Sequence, residues 1–166
     1  MNKTHILPDL LAPGLKLVFC GTGASARSAA EVAYYAHPGN LFWPTLQRVG
    51  LTPHRFKPAA FPTLLALGIG LTDVVKSASG SDAELPKAAW DGAALRQKFL
   101  HFQPRFVGFT SKAGAQACLG LKKVDYGLMT ETLGDTRLFV LPSPSGRARG
   151  YWDEAPWQIL ADLVNT

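Results

Sequence analysis

Short apolar runs alternate along the chain with stretches whose apolar residues recur at helical spacing, and Gly or Pro stands at most of the junctions. Residues 15–20, Leu-Lys-Leu-Val-Phe-Cys, predict a buried strand that ends at Gly21. Residues 25–34 are alanine-rich and predict the start of a helix, 36–43 a loop, and 44–49 a second helix. Residues 61–67 predict a helix that Gly68 is placed to end. A second strand is predicted over 69–75. In residues 91–102 the apolar side chains Leu95, Phe99 and Phe102 lie near helical spacing, and Pro104 stops the pattern. Residues 105–110 predict a third strand, and Ser111 is placed to cap a helix running to about Leu119. Residues 136–141 predict a fourth strand ended by Pro142, and 155–164 a closing helix. Strands separated by helices imply an α/β fold, a three-layer α/β/α sandwich around a four-stranded, mainly parallel sheet.

Composition narrows the partners more than the fold. A chain of 166 residues suits one domain, residues 1–166. With 47% hydrophobic and 17% charged residues it can bury a core and is not a disordered chain. The formal charge of +5 fits a polyanion such as DNA without requiring one. Cys20 and Cys118 stand in apolar or alanine-rich surroundings and no C-x-x-C occurs. That pattern reads as two small buried residues, so neither a metal nor a cofactor is expected. No apolar run reaches the 18 or so residues of a membrane span, and the opening residues lack an export pattern. A monomer in a reducing cytoplasm is expected, nucleoid-associated if the chain is bacterial, with no membrane partner.

Ligands of such sheets bind where strands end at their carboxyl side. Those places are residues 21–25, the segment after Val75, residues 110–114 and residues 142–149. The first reads Gly21-Thr22-Gly23-Ala24-Ser25-Ala26 and matches the G-x-G-x-x-A spacing of a dinucleotide turn, whose amides attract anions. The acidic residue that such a site needs about 20 positions on is missing. Asn40-Leu41-Phe42-Trp43-Pro44 stands there instead.

Tyr34-Tyr35-Ala36-His37-Pro38-Gly39-Asn40-Leu41-Phe42-Trp43 is aromatic-rich yet broken by Pro and Gly. Such a loop offers ring faces for stacking a planar base and one amide for hydrogen bonding. Structural roles stand beside these: Phe42 and Trp43 as core, Asn40 as a helix N-cap, His37 as a shaper of the loop.

The segment Ala36-His37-Pro38-Gly39-Asn40-Leu41-Phe42-Trp43 resembles the AHPxNxFW block of the uracil-DNA glycosylase superfamily, in its mismatch-specific uracil- and thymine-DNA branch and the related hypoxanthine-DNA glycosylases. Residues 11–21, Gly70-Leu71-Thr72-Asp73-Val74-Val75-Lys76, and Val140-Leu141-Pro142-Ser143-Pro144-Ser145-Gly146 resemble further blocks of that branch in the same order. The resemblance implies an enzyme that flips a deaminated base, uracil above all, out of DNA and hydrolyses its glycosidic bond. It implies that Tyr35 stacks on the base, with Thr22, Gly23, Ala24, Ser25 and His37 around it. The branch places a water-positioning Asn where Gly23 stands. The hypoxanthine type lacks that Asn too, and there the residue matching Asn40 is the implied catalytic one. Glu31, expected in the loop leading to the aromatics, is a second candidate, for activating water; an exposed helix carboxylate is its alternative. Arg147 stands where the branch places its intercalating side chain, and Ser143 replaces an Asn. Ser145, Gly146 and Arg149 would contact the backbone of the DNA, with Lys76, Ser77 and Lys112 at other strand ends adding phosphate contacts. Two further readings stay open: a module that binds damaged or abasic DNA without cleaving it, and a small dinucleotide-binding protein.

Overall fold

The structure, a computed structural model, describes residues 5–166; residues 1–4 of the single domain expected over 1–166 lie outside them. Five strands form one sheet: β1 (Leu17–Gly21), β2 (Ile69–Asp73), β3 (Phe106–Phe109), β4 (Gly127–Leu133) and β5 (Thr136–Val140), in the order β2-β1-β3-β5-β4. The first four in that order run parallel and β4 pairs antiparallel with β5. The expected four-stranded sheet is therefore corrected to five strands. β4 escaped the periodicity because it is an edge strand, mostly exposed, with Thr, Glu and Thr in its middle. Its turn is legible, since Gly134-Asp135 joins two extended runs and Gly134 takes the positive φ of 59° that a tight hairpin requires.

The helices are α1 (Ala26–Glu31), α2 (Phe42–Arg48), α3 (Gly92–Phe102), α4 (Lys112–Leu119) and α5 (Ala155–Val164). α1 is shorter than the predicted 25–34 because Val32 turns left-handed at φ 49°. α2 begins inside the predicted loop, at Phe42, whose amide donates to the Asn40 Oδ1 at 2.9 Å. Pro58–Leu67 winds as a 3-10 helix, stopped at Gly68 (φ 77°) as its sequence indicates. The Ser111 hydroxyl accepts from the Gly114 amide and caps α4. β2 ends at Asp73, two residues earlier than predicted.

Successive strand residues face opposite sides of the sheet, and both sides are covered. Phe19, Leu71, Phe106 and Phe139 pack with Phe42 and Leu46 of α2 and with Trp157 and Leu160 of α5. Cys20, Val107, Phe109 and Val140 pack with Leu95 and Phe99 of α3 and with Ala115 and Cys118 of α4. Two indole N–H groups fasten loops to this core: Trp43 donates to the Tyr34 carbonyl at 3.0 Å and Trp157 to that of Pro142 at 3.1 Å. Among the described residues no helix is long and apolar enough to cross a membrane.

An amino-terminal segment crosses β2, where Leu10 and Leu71 exchange two backbone hydrogen bonds of 2.9 Å. Gly70 permits that approach, because a Cβ there would lie 2.5 Å from the Leu10 carbonyl oxygen and 2.7 Å from Leu15 Cδ1. Gly70→Ala is expected to destabilise the protein by about 1–3 kcal/mol through overpacking. Urea unfolding measures this as a lowered midpoint; an unshifted midpoint would mean the crossing segment is not packed as described.

Candidate functional site

Asp73 ends β2, Gly21 ends β1 and Thr110 follows β3, so three neighbouring strands deliver their last residues to one place. Gly21 leaves a gap over its Cα that other side chains fill. A Cβ there would meet Asp73 Oδ1 at 2.7 Å, the Tyr35 hydroxyl at 3.1 Å and the Thr110 hydroxyl at 3.6 Å.

Tyr35 reaches this point from the aromatic loop. Its backbone is left-handed (φ 53°), its hydroxyl is hydrogen-bonded to that of Thr110 at 3.1 Å, and one face of its ring stacks on Phe42 at 4.0 Å. Removal from water, and then the Asp73 carboxylate, push its phenol well above the ordinary range, so it stays neutral.

Asp73 is buried, with 4% of its surface exposed. Burial raises its carboxyl to about 6, the nearby Asp9 adds to this, and Lys76 and Lys98 oppose it. Both lysines give their strong hydrogen bonds to Asp9 instead, Lys76 at 2.8 Å and Lys98 at 2.6 Å. Although burial resists the charge on Asp9, that pairing holds its carboxyl below the ordinary range. Lys76, expected on phosphate, is thus engaged with Asp9 and with the Tyr34 hydroxyl at 3.1 Å.

The turn after β1 packs on the loop after β2. Thr22 donates its hydroxyl proton to Asp82 at 2.5 Å, and Ala24 accepts from the Gly80 amide at 2.8 Å. Ser25 caps α1 through its hydroxyl. Gly23 has no open space beside it: a Cβ would stand 3.0 Å from Leu85 Cδ1 and 3.4 Å from Val75 Cβ. Two apolar side chains fill the place where a longer residue would project.

Asn40 is half-buried, and its Oδ1 is held by the Phe42 amide, which leaves its Nδ2 as the group able to donate outward. His37 accepts from the Gly39 amide through Nδ1 at 2.9 Å and shapes the loop. The carboxyl-terminal segment docks against it: Leu41 donates to the Pro144 carbonyl at 2.8 Å, and Arg149 to that of Gly39 at 3.2 Å. A Cβ on Gly146 would come within 3.5 Å of that same Gly39 oxygen. Two distant stretches of sequence therefore form one rim. The Ser143 hydroxyl accepts from the Ser145 amide, and the Ser145 hydroxyl from that of Arg147, shaping the 3-10 turn Gly146–Tyr151. Arg147 is exposed on this turn. Its charge helps lower the Glu84 carboxyl of the loop after β2, behind the larger effect of hydrogen bonds with Ser81.

Other expected residues stand apart. Glu31 is the last residue of α1, not part of a loop, and its exposed carboxylate pairs with Arg27. Lys112 opens α4 with its ammonium 4.5 Å from the centre of the exposed Tyr126 ring. Ser77 is exposed in the loop after β2. Asp73, which the sequence shows only within a family-like block, and Thr110, which it shows only at a strand end, join the site here; the signal for Asp73 is an acidic residue closing the apolar run Ile-Gly-Leu-Thr at a strand's carboxyl end. Among the described residues no three His, Cys, Asp or Glu side chains converge closely enough to hold a metal ion.

The profile of the Uracil DNA glycosylase superfamily matches residues 8–163. The solution NMR structure of a proposed uracil DNA glycosylase from Methanosarcina acetivorans, 20% identical, superposes with a TM-score of 0.70 and covers 100% of both chains. At that identity the likeness is one of fold.

The raised Asp73 carboxyl has a consequence for stability. Its folded value of about 6 exceeds the ordinary 3.8, so between those values the folded state binds more protons than the unfolded one. Stability is therefore lost as pH rises through this window, by about 3 kcal/mol from this group. Asp73→Asn removes the buried charge and is expected to raise the melting temperature more at pH 8 than at pH 5. An equal shift at both values would show that Asp73 is not titrating in that range.

Proposed function

The chain belongs to the uracil DNA glycosylase superfamily, and on that premise we propose that it excises a deaminated base, uracil foremost, from DNA and leaves an abasic site. The observation that carries the reading is that two distant segments, the aromatic loop and residues 144–149, are hydrogen-bonded into one rim, while Tyr35 of the same loop is held at the strand ends by Thr110 and Phe42. A base flipped out of the helix needs a flat surface in a pocket to replace its lost stacking, which contributes roughly 1–3 kcal/mol per base. Tyr35 supplies that surface, stiffened from behind by Phe42. The likeness of Ala36-His37-Pro38-Gly39-Asn40-Leu41-Phe42-Trp43 to the mismatch-specific and hypoxanthine-DNA branches supports the same assignment.

Cleavage of the glycosidic bond passes through an oxocarbenium-like state while negative charge grows on the departing base. Fixed donors aimed at that charge lower the barrier. Asn40 is suited to this, because the Phe42 amide fixes its Oδ1 and so orients its Nδ2 hydrogens. Arg147, exposed on the rim, fills the gap that the flipped nucleotide leaves in a duplex, since a guanidinium stacks well on bases. Arg149 braces the rim through Gly39 and leaves its remaining donors for phosphate.

A second reading, binding of damaged or abasic DNA without excision, is favoured by one observation: Leu85 and Val75 occupy the space beside Gly23, so no side chain there holds a water. An end-labelled oligonucleotide containing uracil, hypoxanthine, xanthine or a mismatched thymine, treated with the protein and then with alkali, separates the two. Strand scission is expected with at least uracil. Intact strands with every base, together with tight binding of abasic DNA, would leave the binding reading alone.

Asn40→Ala is expected to lower the single-turnover excision rate at least tenfold with the thermal transition retained, as for loss of one fixed donor. An undiminished rate would remove Asn40 from the chemistry. Arg147→Ala is expected to reduce excision more on duplex than on single-stranded DNA; equal losses would argue against an inserted side chain.

A further inference from the structure

Tyr126 and Lys112 stand outside the rim and have no part in the excision chemistry above. Tyr126 directly precedes β4, and Lys112 opens α4 soon after β3. Both are exposed, Tyr126 to 43%, and the Lys112 ammonium lies 4.5 Å from the centre of the Tyr126 ring. The sheet sets their distance from the site. Gly127 is paired with Val140, Val140 with Phe109, and Phe109 with Cys20, the neighbour of Gly21. Three strand spacings of about 4.8 Å therefore separate Gly127 from β1, about 14 Å in all. Val140 and Phe109 are the last residues of β5 and β3, so the pair stands at the same end of the sheet as Tyr35 and Thr110.

We propose that Tyr126, with Lys112 on its ring, is a second DNA contact, about four base steps from the flipped nucleotide at roughly 3.4 Å per step. The ligand is the sugar-phosphate backbone: the ring packs on a deoxyribose and the ammonium takes the adjoining phosphate. The inference rests on the glycosylase reading and extends its footprint on DNA. Such a contact positions the duplex and carries no base preference.

Charge favours this side of the sheet. Beyond β2, at the other edge, the loop presents exposed Asp82 and Glu84, and Lys76 is engaged with Asp9. DNA lying across the strand ends thus meets carboxylates on the β2 side and an ammonium on the β4 side. Lys112 forms no salt bridge among the described residues, although Asp125 is exposed next to Tyr126, so its N–H groups stay available to a phosphate. The attraction of the ammonium for the ring face holds both side chains in one place before DNA arrives. That lowers the ordering cost which a free lysine would carry into the complex.

The test measures binding of wild type and variants to duplex DNA with one abasic site, by fluorescence anisotropy across a range of salt. The duplexes carry about ten base pairs on both sides of that site, or about two on one side or the other. Lys112→Ala and Tyr126→Ala are expected to bind the full duplex about fivefold more weakly, and Lys112→Ala to reduce the salt slope by about 0.9. The loss is expected to vanish on one trimmed duplex and persist on the other. Tyr126→Phe keeps the ring and is expected to bind as wild type does. So is Lys122→Ala, which removes a charge elsewhere: Gln116, farther along α4, donates to the Lys122 carbonyl at 2.7 Å. Lys112→Ala and Tyr126→Ala proteins that match wild type on the full duplex, or lose equally on all three duplexes, would overturn the proposal. Excision of uracil by the wild type would then leave the glycosylase reading standing. A wild type that neither binds abasic DNA nor excises any base would remove both.

Discussion

The hydrogen bond from Tyr35 to Thr110, made over the bare Cα of Gly21, ties the aromatic loop to the sheet. Tyr35 accepts a left-handed backbone to reach it, and Val32 takes the same conformation three residues earlier. The compensation is local. Phe42 stacks on the Tyr35 ring, Trp43 holds the Tyr34 carbonyl, and the Ala36 amide donates to the Ser28 hydroxyl at 3.0 Å. With the loop pinned at this end, its other end fixes Asn40 through the Phe42 amide and presents the Gly39 carbonyl to Arg149. The stacking surface, the orientable amide and the basic rim all follow from one anchored phenol.

Charge at the strand ends is arranged by competition for two lysines. Asp9 wins both, and Lys98 also reaches the Thr72 hydroxyl, so a compact network closes beneath the sheet's first strands. Asp73 is left with the field of those lysines but not their hydrogen bonds, and burial then dominates. Next to it, Leu85 and Val75 seal the space beside Gly23. The site is thus closed on one side by apolar groups, with a carboxyl raised by burial at the end of β2. In that turn Gly23 offers no side chain to hold a water, and the Asn40 amide at the rim is held by the Phe42 amide.

Much of this was legible in the sequence because it rests on local chemistry. The strands ending at Gly21, Asp73 and Phe109 show as apolar runs, and Ser111, Gly68 and Pro142 mark their helix and strand boundaries. The aromatic block announced Tyr35 and Asn40 by composition and by family resemblance. What the sequence hid depends on contacts between distant segments. β4 is held by pairing with β5 more than by a buried face of its own. The engagement of Lys76 with Asp9 spans nearly the whole first half of the chain. Nearness in sequence to the aromatics suggests a role for Glu31, but the left-handed Val32 turns the chain after it, and its carboxylate meets Arg27. Asp73 lies inside a family-like block, and its place beside Gly21, Thr110 and Tyr35 shows only in the packing.

The account turns on where a flipped base would lie. A structure of the protein with duplex DNA carrying one 2′-fluoro-deoxyuridine, which resists glycosidic cleavage, shows this directly. The expected result is the uracil ring against Tyr35, Asn40 Nδ2 within hydrogen-bonding distance of the base, and Arg147 in the gap of the duplex. A uracil still paired in the helix, or bound away from the ends of β1, β2 and β3, would contradict it.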